Sequence, residues 1–162
     1  MKEYNAFESP KIEKTIEVDV PLRTAYNQWT QFEEFPRFME GVREVRQLDN
    51  KRLYWRAEIA GTEKAWTAEI SEQRPDESIA WHSTSGLRNA GRVSFEPVGA
   101  NTTLVRLIMD YEPQGVIENA ADWVGVVSRR IEGDLERFKE FIEARGEATG
   151  AWRGTIHGTR EV

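Results

Sequence analysis

The chain contains no cysteine, which excludes a disulfide framework, a thiolate metal site and a cysteine nucleophile. Histidine is nearly as scarce. His82 and His157 are the only two, they stand far apart, and nothing near either has metal-ligand spacing. No apolar run approaches the ~20 residues that span a bilayer, and the opening MKEYNAFESPKIEK lacks a signal-peptide core. A cytoplasmic protein without stable membrane insertion is therefore expected. Positive charge is also in deficit: 22 Lys and Arg against 28 Asp and Glu give a net charge of −6. Phosphate binding needs a concentrated positive surface, so nucleic acid is not an expected partner. Arg43, Arg46, Lys51, Arg52 and Arg56 form a local basic cluster, a pattern typical of solvated strand edges. Asn101-Thr102-Thr103 matches a glycosylation sequon but reads as a polar hairpin turn.

What is present is an ordered alternation. A length of 162 residues with 39% hydrophobic content fits one domain with a sizeable core. The reading is an N-terminal extension over 1–10, a folded domain over 11–146 and a flexible tail over 147–162. Ile16, Val18 and Val20 share one side of a first strand, and Pro21 suits the first turn of a short helix carrying Leu22, Ala25, Tyr26 and Trp29. A second short helix or turn around Phe32 to Phe38 is limited by Pro36. From Val42 to Tyr111 the strands follow at hairpin spacing, too close for parallel crossovers. Leu104 and Ile108 break the alternation of the last strand, which is expected to be covered on both faces.

Pro113 and Gly115 separate these strands from an amphipathic helix over Ile117 to Ala144. Ile117, Ala120, Ala121, Val124, Ile131, Leu135, Phe138 and Ile142 form its apolar stripe. Arg129, Arg130, Glu132, Glu136 and Lys139 fall mostly elsewhere. Its ~40 Å length would cross the whole sheet. Trp123 and Val126 lie off the stripe and are expected to pack within a monomer or across a homodimer. Trp152 and Ile156 offer the tail a way to dock.

The fold class expected is α+β: a curved antiparallel sheet of about seven strands wrapped around a long C-terminal helix, with two short helices after the first strand. In this arrangement the chain resembles the SRPBCC (START/Bet v 1-like) helix-grip superfamily. It is closest to the bacterial polyketide cyclase/dehydrase branch related to coenzyme Q binding proteins. The residues that carry the likeness are WTQFEEFPRFMEGVREVRQLD from Trp29, WRAEIAG from Trp55 and WTAEISEQRPDESIAWHSTSG from Trp66. GRVSFEP from Gly91 and TLVRLIMDYEP from Thr103 complete it. The resemblance covers roughly residues 10 to 145 and consists of core and turn positions. It implies a cavity shared among lipid carriers, hormone receptors, aromatase/cyclases and ribosome-associated proteins. No family catalytic residue maps onto this chain by motif.

Strand parity indicates what would line such a cavity. The residues facing the long helix include Trp55, Ala57, Trp66, Ala68, Ile70, Ile79, Trp81, Ser83, Val93, Phe95, Val105, Leu107, Met109 and Tyr111. Tyr111 alone among them titrates, with an ordinary pKa near ~10. His82 has the opposite parity and is expected to face outward, as are Arg56, Glu58, Glu69, Arg92 and Arg106; a bulge in the irregular Val42 to Leu48 strand would turn Glu44 or Arg46 inward. Trp55, Trp66 and Trp81, on consecutive strands, offer broad apolar faces and indole N–H donors. They suit a flat or elongated hydrophobic ligand bearing one or two carbonyl oxygens, such as a quinone, polyketide-like aromatic or lipid; equally, rings of this kind fill cores. Phe32, Phe35, Phe38 and Met39 are placed as a lid at the open end.

The expected ligand-binding residues are Phe38, Trp55, Trp66, Trp81, Ser83, Phe95, Leu107, Met109, Tyr111 and Val124, with no catalytic or metal-binding residue and no cofactor. Binding or carriage of a small hydrophobic ligand is the leading expectation. The alternatives are a polyketide cyclase/dehydratase assisted by Tyr111 or Ser83, and a ribosome-associated module using the basic strands.

Overall fold

The computed structural model describes residues 11–111, 120–158 and 160–161. Strand β1 (Lys11–Val18) buries Ile12 and Val18 on its inner side. Pro21 stands immediately before helix α1 (Leu22–Trp29), where a missing N–H costs nothing, and its carbonyl accepts the first helical bond from Ala25 N at 3.1 Å. A 3₁₀ helix (Phe32–Arg37) containing Pro36 follows. Six strands then run consecutively: β2 (Val42–Gln47), β3 (Arg52–Ile59), β4 (Thr62–Arg74), β5 (Ser78–Gly86), β6 (Asn89–Gly99) and β7 (Thr102–Tyr111).

They form one antiparallel sheet in the order β1-β7-β6-β5-β4-β3-β2. Each strand therefore pairs with its sequence neighbour, except where β1 closes onto β7 with Ile16 opposite Val105. The seven strands curl into a half-barrel around helix α2 (Ala120–Arg145), which buries Val127, Ile131, Leu135, Phe138 and Ile142 against the concave face. This is the helix-grip arrangement the strand order implies. The expected helical start at Ile117 lies outside the described residues.

Trp29 is the aromatic centre of the core, edge-on to Phe138 at 5.0 Å, Phe35 at 5.6 Å and Phe95 at 6.2 Å between ring centroids. The bulge in β2 falls between Val42 and Glu44. It turns neither Glu44 nor Arg46 inward: these two pair with each other at 3.2 Å on the outer face. Among the described residues, β7 is only partly covered on its outer face. Leu104 and Ile108 are half-buried on the outer face, opposite Glu17 and Glu96 and opposite Glu13 and Arg92.

The stretch expected as a flexible tail is, over its described residues, packed against the body. Strand β8 (Ile156–His157) pairs with Glu72 and Gln73 of β4, beyond the last residue that β3 covers, and with a short β9 (Arg160–Glu161). Ile156 is fully buried. The physical reason is an overhang: β4 is longer than β3, and its uncovered edge takes a strand.

Candidate functional site

Between the sheet and α2 lies a cavity of about 90 Å³. A single water needs roughly 10–15 Å³ on the same scale, so the space exceeds an incidental packing void. Its walls are mainly apolar, a lining that does not hold water well. Trp55, Trp66, Trp81, Leu107 and Met109 of the expected residues line it, with Leu53, Ala57, Ile59, Ile70 and Ile79 from the same face. Trp55 and Trp66 are directly opposite each other in the β3–β4 register and stack at 5.7 Å with 8° between their planes. The Trp55 Nε1 is buried and has no hydrogen-bond partner among the described residues. An unmet donor of that kind costs about 1–3 kcal/mol.

Four expected residues stand elsewhere. Phe95 packs against Tyr26 and Trp29 behind the cavity, and Phe38 packs between Phe35, Phe138 and Phe141. Val124 is half-buried against the core without lining the space. Ser83 accepts a hydrogen bond from Asn89 N at 3.1 Å and supports the β5–β6 turn. Parity assigns a residue to a face; curvature decides which part of that face is filled by neighbours. The side chain of Tyr111 lies outside the described residues. His82 is half-buried on β5, opposite Glu69 and Ala90, and is not part of the lining. Of the proposed lid, Phe32, Phe35 and Met39 line the cavity.

Part of the cavity wall is polar, which strand parity does not reveal. Arg130 and Asp134, one turn apart on α2, reach it together with Glu40 and the buried Asn89. Arg130 Nη1 donates to the carbonyls of Glu40 at 3.0 Å and Glu58 at 2.7 Å. Gly41 makes this possible: its φ is +87°, and a Cβ there would collide with the Arg130 guanidinium and sit 2.8 Å from Glu58 O. Asp134 Oδ1 accepts from Glu40 N at 2.9 Å and from Arg137 Nη2 at 2.5 Å. Arg137 Nε in turn donates to Phe38 O at 3.1 Å. Arg130, Asp134 and Arg137 thus pin one face of α2 to the 38–41 segment.

Burial pushes the Asp134 carboxyl up to about 6, against the opposing pull of Arg137, the Glu40 N–H and Arg130. Its position was readable. Val127, Ile131, Asp134, Phe138 and Ile142 recur at steps of four, three, four and four, so the carboxylate occupies a place on the apolar stripe. Asn89 gave no comparable signal, because its burial depends on the turn that ties its Nδ2 to Leu87 O at 3.0 Å. No cluster of three His, Asp or Glu side chains suited to a metal occurs among the described residues, and no described helix is long and apolar enough to cross a membrane.

Residues 18–140 match the family described as polyketide cyclase/dehydrase and lipid transport. An uncharacterized 17.2 kDa protein of Streptomyces lincolnensis is 48% identical over 147 residues, covering 90% of this chain and 98% of that one. The ZhuI aromatase/cyclase from Streptomyces sp. R1128 superimposes with a TM-score of 0.73 at 17% identity, over 88% of this chain and 99% of that structure. A START superfamily protein from Mycobacterium smegmatis gives 0.67 at 19% identity, over 83% and 95%. The match over residues 18–140 establishes that the chain belongs to the polyketide cyclase/dehydrase and lipid transport family, and the curled seven-strand sheet with its long C-terminal helix is the fold it shares with these structures.

Proposed function

We propose that this protein binds a small, largely planar hydrophobic ligand carrying an acceptor oxygen, in the cavity between the sheet and α2. The observation that carries the reading is Trp55: it lines an apolar cavity, stacks on Trp66, and holds a buried N–H that no described residue satisfies. A carbonyl or phenolic oxygen on the ligand would meet that donor while its rings displace the empty space. Quinones and polyketide-like aromatics have this chemistry, and a lipid carbonyl has part of it. The test is to purify the protein from its native cell and identify co-purifying small molecules by mass spectrometry, beside a Trp66→Ala/Trp81→Ala variant. One compound of this class, retained by the wild type and lost from a still-folded variant, is the expected result. A compound retained equally by both would place it outside the cavity and defeat the reading.

A second reading, a cyclase or dehydratase, is favoured by one specific observation. Asp134 is a cavity carboxyl raised to about 6, able to hold or release a proton near neutrality, beside the fixed Arg130. Ser83, expected to assist such chemistry, is outside the lining. If the protein converts a poly-β-keto substrate, Asp134→Asn should reduce turnover at least a hundredfold with binding little changed. Turnover that survives the substitution would remove Asp134 from the chemistry.

A further inference from the structure

Gly91 lies in the middle of β6, with Trp81 of β5 opposite it on one side and Met109 of β7 on the other. The same row continues to Ile70 of β4 and Ile12 of β1. All five positions face α2, and the one in the centre has no side chain. A Cβ built there would fall 2.5 Å from Trp81 Cζ2, 2.8 Å from Trp81 Cε2 and 2.7 Å from Met109 Sδ. These distances are well inside the 3.5–4.0 Å of comfortable carbon contact. The Trp81 indole therefore reaches across the glycine and occupies the space that a side chain at this position would fill, while also lining the cavity.

The two neighbours differ in how they would respond to a methyl group. Met109 Sδ belongs to an unbranched side chain with three rotatable bonds and can turn away. The indole atoms move only if the whole ring swings about its two χ angles. With the sheet beneath it and paired strands on both sides, the open direction for that swing is the cavity, whose volume is about 90 Å³. A ring turned into so small a space removes much of it.

We infer that Gly91 is the size-determining position of the cavity: by leaving room for the Trp81 indole above it, the glycine sets how large a planar ring system the protein accepts. This rests on the ligand-binding reading above and makes it more specific. The ligand class it predicts is a fused aromatic system laid parallel to the sheet, with its width limited at the Trp81 end. It also explains why a glycine, which weakens a strand interior, stands at this position.

The experiment titrates purified protein with 2-naphthol and with 1-hydroxyanthraquinone, following intrinsic tryptophan fluorescence and confirming affinities by calorimetry. The wild type is expected to bind both. Gly91→Ala should weaken the three-ring probe at least tenfold while changing the two-ring probe less than threefold. Trp81→Phe, which shortens the ring lying over Gly91, acts in the opposite direction and should shift preference toward the larger probe. It carries the test alone should Gly91→Ala fail to fold. In a folded Gly91→Ala protein, an unchanged ratio of the two affinities overturns the size-determining role and leaves the binding reading intact. For Trp81→Phe, a preference that does not move does the same. A wild type that binds neither probe overturns both this inference and the planar-ligand reading on which it rests.

Discussion

Asp134 has 12% of its side chain exposed, accepts two hydrogen bonds on one oxygen, and is nevertheless held at about 6 because burial outweighs its partners. The consequence for stability has a definite sign. The folded state holds the proton more tightly than the unfolded chain, whose carboxyl titrates near 3.8. Between those values Asp134 is protonated in the folded protein and ionised in the unfolded one, so its contribution to stability is fully present below about 3.8 and is lost as pH rises through about 6. A shift of this size corresponds to something on the order of 2–3 kcal/mol. Urea unfolding at pH 4, 5, 6 and 7 should show Asp134→Asn gaining on the wild type by roughly 2 kcal/mol across that range. A constant difference between the two proteins would show that Asp134 titrates at its ordinary value. The stripe of α2 reveals where this carboxylate lies, but its effect depends on burial and on partners from the 38–41 segment, which helical periodicity does not contain.

At the scale of elements, the segment after α2 shows how local composition can mislead. It is too poor in apolar residues to fold alone, and this supported the reading of a flexible tail. Its anchors are supplied by other elements. Gln28 of α1 exchanges two hydrogen bonds with Thr149, at 3.0 and 2.8 Å. Arg153 makes a two-pronged ion pair with Asp76 at 2.9 and 2.8 Å, donates to Asn27 Oδ1 at 2.7 Å and lies over the Tyr26 ring. Fork-to-fork geometry makes this the strongest polar contact of the segment. Ile156, fully buried, adds the apolar share. Ile156→Ala is expected to destabilise the protein by ~2–4 kcal/mol in urea unfolding. A loss below about 1 kcal/mol would mean that the segment does not dock in solution. The β4 overhang that receives it is a property of the paired sheet, because it depends on where β3 stops along β4.

For the whole molecule, charge is paired where the sequence concentrates it. Arg43 meets Glu58 at 3.3 Å, Arg52 meets Asp49 at 2.7 Å, and Arg56 meets Glu44 at 3.5 Å and Glu63 at 3.3 Å. With Arg46 on Glu44, the basic strands become a laced outer face instead of a positive patch. Pairs this exposed add little stability. The sequence by itself determined the strand and helix order, the antiparallel pairing and the inward face, because periods of two and 3.6 are local properties of the chain. It also determined the three tryptophans of one parity. Only the tertiary structure decided which inward residues border empty space and which fill the core, since that depends on sheet curvature and on the neighbours each ring meets. Phe95 and Phe38 were thereby placed in the packing, Arg130 and Asp134 in the cavity wall, and the Trp81 indole over Gly91.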